Sequence, residues 1–161
     1  MTAKAGMTIP SVRVHMKTEQ GIDAIDTKEY FSGRKVVMFS VPGAFTPTCS
    51  AKHLPGFVAH HKALMDAGID AIACLSVNDA HVMGAWSEAG NATGKIDMLA
   101  DSHAEFSRAL GIAMNFGEVM GERAQRTAFI VDNGTVTHVF IEEPGMFELS
   151  SAEHILRNLT S

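Results

Sequence analysis

Apolar residues fall along this chain in short runs whose spacing switches between strand-like and helix-like. Ile9 to Met16 reads as a short strand after a polar start. Asp26 or Thr27 can cap a brief helix through Lys28-Glu29-Tyr30-Phe31, which Gly33 ends. Lys35 to Val41 has almost no polar interruption, as a buried parallel strand requires. A helix is expected from Cys49 to about Asp66, open to a kink at Pro55, which lacks an amide donor. Ile69 to Val77 is the next apolar strand, and Asn78 or Asp79 caps a helix through Trp86 to Ala89. After a loop at Gly90 to Gly94, Ile96 to Ala100 reads as a shorter strand. Asp101 and Ser102 then start a helix that Gly111 stops.

The segment GIAMNFGEVMG is apolar but interrupted by glycines, so it reads as a loop packed on something. Thr127 to Val131 and Thr135 to Ile141 flank Asp132-Asn133-Gly134, the strongest hairpin signal in the chain. A last helix begins near Ser150 or Ser151 and carries Ile155, Leu156 and Leu159 on one face. Strand–helix alternation that ends in a hairpin and a helix gives an α/β fold, with a mixed sheet and helices on both faces.

The stretch VPGAFTPTCSAKHLPGF, Val41 to Phe57, is where the chain carries its chemistry. A strand runs into a loop stiffened by Pro42 and Pro47, then into Cys49, then into a helix. A thiol in the first turn of a helix meets unpaired N–H groups and the positive end of the helix dipole, and both favour the thiolate. The ordinary thiol pKa of about 8.5 leaves only a few per cent ionised at pH 7. Gly43 lets the backbone come close to whatever binds there. Thr46, one turn before the sulfur, offers a hydroxyl that accepts and donates. Polar, proline-constrained neighbours do not suit a cysteine that merely fills a core.

Pro42, Thr46 and Cys49 spell P-x-x-x-T-x-x-C. With the full string and Ser76-Val77-Asn78-Asp79, the chain resembles the peroxiredoxins of the type II (five-like) class over nearly its whole length. The resemblance implies a thioredoxin-like fold in one domain spanning residues 1–161. It makes Cys49 the peroxidatic cysteine, Thr46 and an arginine its catalytic companions, and Pro42, Gly43 and Phe45 the substrate-binding loop. Arg123 and Arg126 compete for the arginine's place. Arg126 directly precedes a strand, where the family's arginine stands, whereas Arg123 reads as a loop residue whose removal is expected to be mild. The implied reaction is reduction of hydrogen peroxide and small alkyl hydroperoxides through a Cys49 sulfenic acid, with glutaredoxin and glutathione or thioredoxin as reductant, in antioxidant defence and redox homeostasis. A homodimer is implied too, with Phe45 and Phe116 as interface candidates; Trp86, Met114 and Met120 belong to the same apolar group. The alternatives are a peroxide-sensing redox switch and a thioredoxin-type oxidoreductase. The latter is weakened because Thr46 stands where C-x-x-C needs its first cysteine.

Cys74 follows Cys49 by twenty-five residues and has the spacing of a possible resolving thiol. It lies inside Ala71-Ile72-Ala73-Cys74-Leu75, a strand expected to be central and buried. A disulfide needs Cα atoms within about 7 Å, so a one-cysteine cycle resolved by an external thiol is favoured.

The remaining residues narrow the picture by exclusion. At 161 residues, 46% hydrophobic and 19% charged, the composition is that of a compact domain. A net charge of −5 argues against nucleic acid or an anionic membrane as partner. No run approaches the roughly 18 apolar residues of a membrane span, and two cysteines build no disulfide scaffold. A cytoplasmic protein is expected. No cofactor or metal is expected: the eight histidines form no H-E-x-x-H, and His60 and His61 are adjacent and point apart. His53 is read as a solvated helix-face histidine, and Glu142-Glu143 as surface residues beside a turn.

Overall fold

The computed structural model describes residues 3–160, and for Cys49 and Thr160 the backbone alone. Its strands are β1 (Arg13–Thr18), β2 (Gly21–Asp26), β3 (Lys35–Val41), β4 (Ala71–Ser76), β5 (Asp97–Ala100), β6 (Ala113–Asn115), β7 (Glu122–Ala124), β8 (Thr127–Asp132) and β9 (Thr135–Ile141). The helices are α1 (Thr27–Phe31), α2 (Leu54–Ala59), α3 (His61–Asp66), α4 (Ala80–Ala89), α5 (Glu105–Leu110) and α6 (Ala152–Thr160), with a π-helical turn at Cys49–His53. Seven strands form one sheet in the order β2-β1-β5-β4-β3-β8-β9, and β6 pairs with β7 apart from it. The central trio β3, β4 and β5 is parallel; β1, β2, β8 and β9 run antiparallel to their neighbours. This is the mixed sheet of a thioredoxin-like α/β fold.

Alternation along β3 divides the core between the two sheet faces. Val36 and Met38 pack with Phe31 of α1 and Phe106 and Leu110 of α5. Val37, Phe39 and Val41 pack with Leu54 and Phe57 of α2, Met83 and Trp86 of α4, and Ile155 of α6. Cys74 lies in this second cluster, fully buried at mid-strand, opposite Phe39 on β3 and Met98 on β5. The capping signals also hold. Asp26 accepts from the amides of Lys28 and Glu29, and Asp79 from that of Val82. Asn133 and Gly134 take the positive φ angles, 48° and 78°, that a tight hairpin needs.

Three features depart from expectation. The sequence Gly21-Ile22-Asp23-Ala24-Ile25-Asp26 forms strand β2, with no buried face to mark it. It is one of the two sheet edges, and its hydrogen bonds to β1 do not register in a hydrophobic pattern. The glycine-interrupted segment contains the small hairpin β6–β7, so Arg123 lies in a strand and not in a loop. The helix expected to Asp66 is broken at His60, and Pro55 lies inside the helical run that begins at Pro47, just past the π-helical turn Cys49–His53.

Candidate active site

Val41 ends β3 at the carboxyl edge of the parallel strands, and the loop that follows is folded tightly onto itself. Both the amide and the hydroxyl of Thr46 donate to the Gly43 carbonyl, the hydroxyl at 2.6 Å. Phe45 adopts a left-handed φ of 63° to make this turn and remains 56% exposed. Asn78, just past β4, accepts from the Ala44 amide at 3.0 Å and from the Ser76 hydroxyl. The Ser76–Asp79 segment is therefore scaffolding: it ties the loop to β4 and caps α4.

Helical backbone begins at Pro47, and the Ser50 amide donates to the Thr46 carbonyl at 3.0 Å. Proline suits this first position because its missing donor would have had no partner. Cys49 is the third helical residue, within the first turn, where amides lack helical acceptors. Its side chain lies outside the described residues. The next residue is pinned, since the buried Trp86 indole donates to Ser50 Oγ at 3.0 Å.

A cavity of about 320 Å³ opens beside this helix start. Thr46, Pro47 and Thr48 line one side, Gln125 and Arg126 another, and Met114, Phe116, Met120, Pro144 and Met146 supply apolar walls. Sheet register brings Arg126 here. Ser40 near the end of β3 is paired with Thr127 at the start of β8, so the residue before Thr127 must face the loop after Val41. The two hydroxyls are in direct contact, and Ser40 also donates to the Gln125 carbonyl at 2.6 Å.

The Arg126 guanidinium donates from Nη1 to His53 Nδ1 at 3.0 Å. Since arginine only donates, this imidazole nitrogen accepts, and Nε2–H donates to the Ser150 carbonyl at 2.9 Å. His53 is fully buried, with the rings of Phe39, Phe57 and Phe147 around it. Burial first, and the Arg126 charge second, push its pKa down to about 3, against the pull of the Ser150 carbonyl. The ring is therefore neutral at ordinary pH. Among the described residues no group of three or more His, Cys, Asp or Glu side chains is placed to hold a metal ion.

Comparison with known proteins matches this architecture. The redoxin family model covers residues 4–156. The chloroplastic peroxiredoxin-2E-2 of Oryza sativa subsp. japonica is 46% identical over 142 residues, 86% of this chain and 63% of the rice protein. The chain thus spans somewhat less than two thirds of that relative's length. Reduced Prx3 from Vibrio vulnificus in complex with hydrogen peroxide superposes with a TM-score of 0.95 at 47% identity, covering 98% of this chain and 99% of that one. The Plasmodium falciparum antioxidant protein, described as a 1-Cys peroxiredoxin, gives a TM-score of 0.91 at 27% identity, covering 97% and 98%. The chain belongs to the peroxiredoxins, in their type II class.

Within this peroxiredoxin the residues singled out from sequence fall in different places. Thr46, Arg126 and Pro42 line the cavity. Gly43 and Phe45 are not among its lining residues. A Cβ on Gly43 would sit 3.1 Å from both Arg123 Nη1 and the Thr46 methyl, so what approaches this glycine is the protein's own side chains. Phe116, Met114 and Met120 line the cavity, while Trp86 belongs to the core.

Two readings are corrected. His53 is not a solvated helix-face residue. Its spacing of four from Phe57 put both on one helix face, and that face is buried. Glu142 is not a surface carboxylate, being only 7% exposed. Burial alone would raise its pKa, but the donors around it more than offset this and hold the pKa below its ordinary value. They are the Ser150 amide and hydroxyl, both at 2.8 Å, the Glu148 amide at 2.7 Å and, more weakly, the Leu149 amide.

Proposed function

We propose that this peroxiredoxin is a thiol peroxidase that reduces hydrogen peroxide and small alkyl hydroperoxides through a Cys49 sulfenic acid. The observation that carries the reading is the cavity between Thr46 and Arg126, beside the helical first turn that contains Cys49. The Cys49 thiolate attacks one peroxide oxygen; an S–O bond forms as the O–O bond breaks. The second oxygen leaves with the bonding pair and takes a proton to become water or an alcohol. Cysteine is oxidised by two electrons and the peroxide reduced by two.

Thr46 holds the incoming peroxide in this scheme. Its hydroxyl proton is committed to the Gly43 carbonyl, so its oxygen is left to accept from the peroxide O–H. Arg126 stabilises the charge growing on the leaving oxygen, a task for a permanent cation with several donors. The apolar walls suit a small alkyl group, and the hydrogen peroxide complex of the Vibrio vulnificus relative supports the smaller substrate. An external thiol then condenses with the sulfenic acid, releasing water and leaving a mixed disulfide that a second thiol reduces. Glutaredoxin with glutathione is the proposed reductant, with thioredoxin as the other candidate, in a cytoplasmic, homodimeric enzyme. The exposed Phe45 supports an interface beside the loop.

Peroxide consumption with each reductant supplied separately tests this. Cys49→Ser is expected to abolish turnover while leaving the fold intact. Consumption of about one peroxide per chain, whatever the reductant, would replace the enzyme with a sensor.

A further inference from the structure

The hydrogen bonds around Arg126 close on themselves. Arg126 Nη1 donates to His53 Nδ1, and His53 Nε2–H donates to the Ser150 carbonyl. The Ser150 amide and hydroxyl donate to Glu142 Oε2, and the Glu142 amide donates back to the Arg126 carbonyl at 3.0 Å. Four residues from three separate segments make one circuit, and the guanidinium that lines the cavity is part of it. We propose that His53 is a positioning residue for the peroxidase reaction, a neutral hydrogen-bond acceptor that aims the Arg126 guanidinium through a tautomer fixed by Ser150 and the loop from Glu142.

The residue type fits the task. A carboxylate at this position would also orient the guanidinium, but it would cancel the positive charge that the leaving oxygen needs. A solvated acceptor would leave the fork free to turn. A buried imidazole supplies one accepting lone pair without a charge, and its other nitrogen is held by a backbone carbonyl. The three aromatic rings around it fix the plane of the ring. Its depressed pKa keeps the ring in the accepting form. The Glu142 carboxylate lies one step further round, where it holds the Ser150 segment and is stabilised as the anion by amide and hydroxyl donors.

The inference rests on the peroxidase reading, and the experiment separates the two. His53→Leu removes both ring contacts, His53→Asn keeps an acceptor near the Nδ1 position, and Arg126→Ala removes the group that is aimed. Peroxide kcat/KM is measured for the single variants and for His53→Leu with Arg126→Ala, alongside thermal melts and ¹⁵N-histidine spectra of the wild type. A misplacement of about 1 Å can cost on the order of a hundredfold in rate. The expected results are a loss of about tenfold or more in His53→Leu, substantial recovery in His53→Asn, and little further loss when His53→Leu is added to Arg126→Ala. The spectra are expected to give a neutral Nε2–H ring at pH 6.

An active, folded His53→Leu protein within about twofold of wild type would overturn the positioning role alone. So would fully additive losses, or a ring protonated on Nδ1. Should His53→Leu fail to fold, His53→Asn and the spectra decide: a slow, well-folded His53→Asn or an Nδ1–H ring counts against the role. A wild-type protein that does not consume peroxide with any thiol would instead overturn the peroxidase reading and this inference with it.

Discussion

Arg123 Nη1 donates to the carbonyl of Val77 at 3.1 Å, joining the small β6–β7 hairpin to the end of β4. The same nitrogen reaches the Pro42 carbonyl at 3.4 Å, while Nε holds the Met120 carbonyl at 2.9 Å. A residue whose removal is expected from sequence to be mild thus ties together three segments around the candidate site. Hydrogen bonds from a charged group are worth about 1.5–3 kcal/mol each when buried. Arg123 is half-buried, so the low end applies. Arg123→Ala is expected to lower the melting temperature by several degrees and to slow peroxide consumption. Arg126→Lys, by contrast, is expected to slow consumption with little change in melting. Calorimetry and peroxide assays on both variants check the contrast.

Thr46 makes a sharper test of substrate placement. Thr46→Val keeps the shape but removes both the donor to Gly43 and the acceptor toward the cavity. A loss of about tenfold in kcat/KM, equivalent to 1.4 kcal/mol, is expected. Thr46→Ser should retain most of the rate. Equal rates for valine and serine at this position would remove Thr46 from the mechanism.

His53 makes a prediction about acid stability. Its folded pKa, about 3, lies below the unfolded value near 6.5. The unfolded chain therefore binds a proton that the folded one refuses, and stability falls as pH drops from about 6.5 toward 3. Between pH 7 and 5 the loss from this group is about 2 kcal/mol. Urea denaturation at both pH values should show it, and the pH dependence should shrink by a similar amount in His53→Asn. An unchanged slope in that variant would mean that His53 is not held neutral.

Cys74 is fully buried in the middle of the sheet, flanked by β3 and β5. A thiol there is shielded from a partner at the helix start, so the sulfenic acid should meet an external thiol first. After one equivalent of peroxide without reductant, mass spectrometry should find Cys49 as sulfenic acid or as a mixed disulfide. Cys74→Ala should keep turnover within about twofold of wild type. A dominant Cys49–Cys74 disulfide, with turnover lost in the variant, would require β4 to open during each cycle.

Local chemistry makes much of this protein legible in its sequence. The proline-stiffened loop, the cysteine in a helical first turn, the apolar run of β3 and the Asn133-Gly134 turn each depend on neighbouring residues alone. Their signals survive in one dimension. Strand β2 and the β6–β7 hairpin leave no such signal, because an exposed edge strand and a three-residue strand are held by backbone pairing, which imposes no hydrophobic pattern. Tertiary structure decided the rest. Only the pairing of Ser40 with Thr127 carries Arg126 to the loop before Cys49. Only the packing of Phe39, Phe57 and Phe147 turns His53 from a surface residue into a buried, neutral acceptor. Glu142 becomes a buried anchor because the chain returns eight residues later to offer it the Ser150 amide and hydroxyl. These outcomes hang on contacts between segments far apart or on a loop's return path, and residue type alone encodes neither.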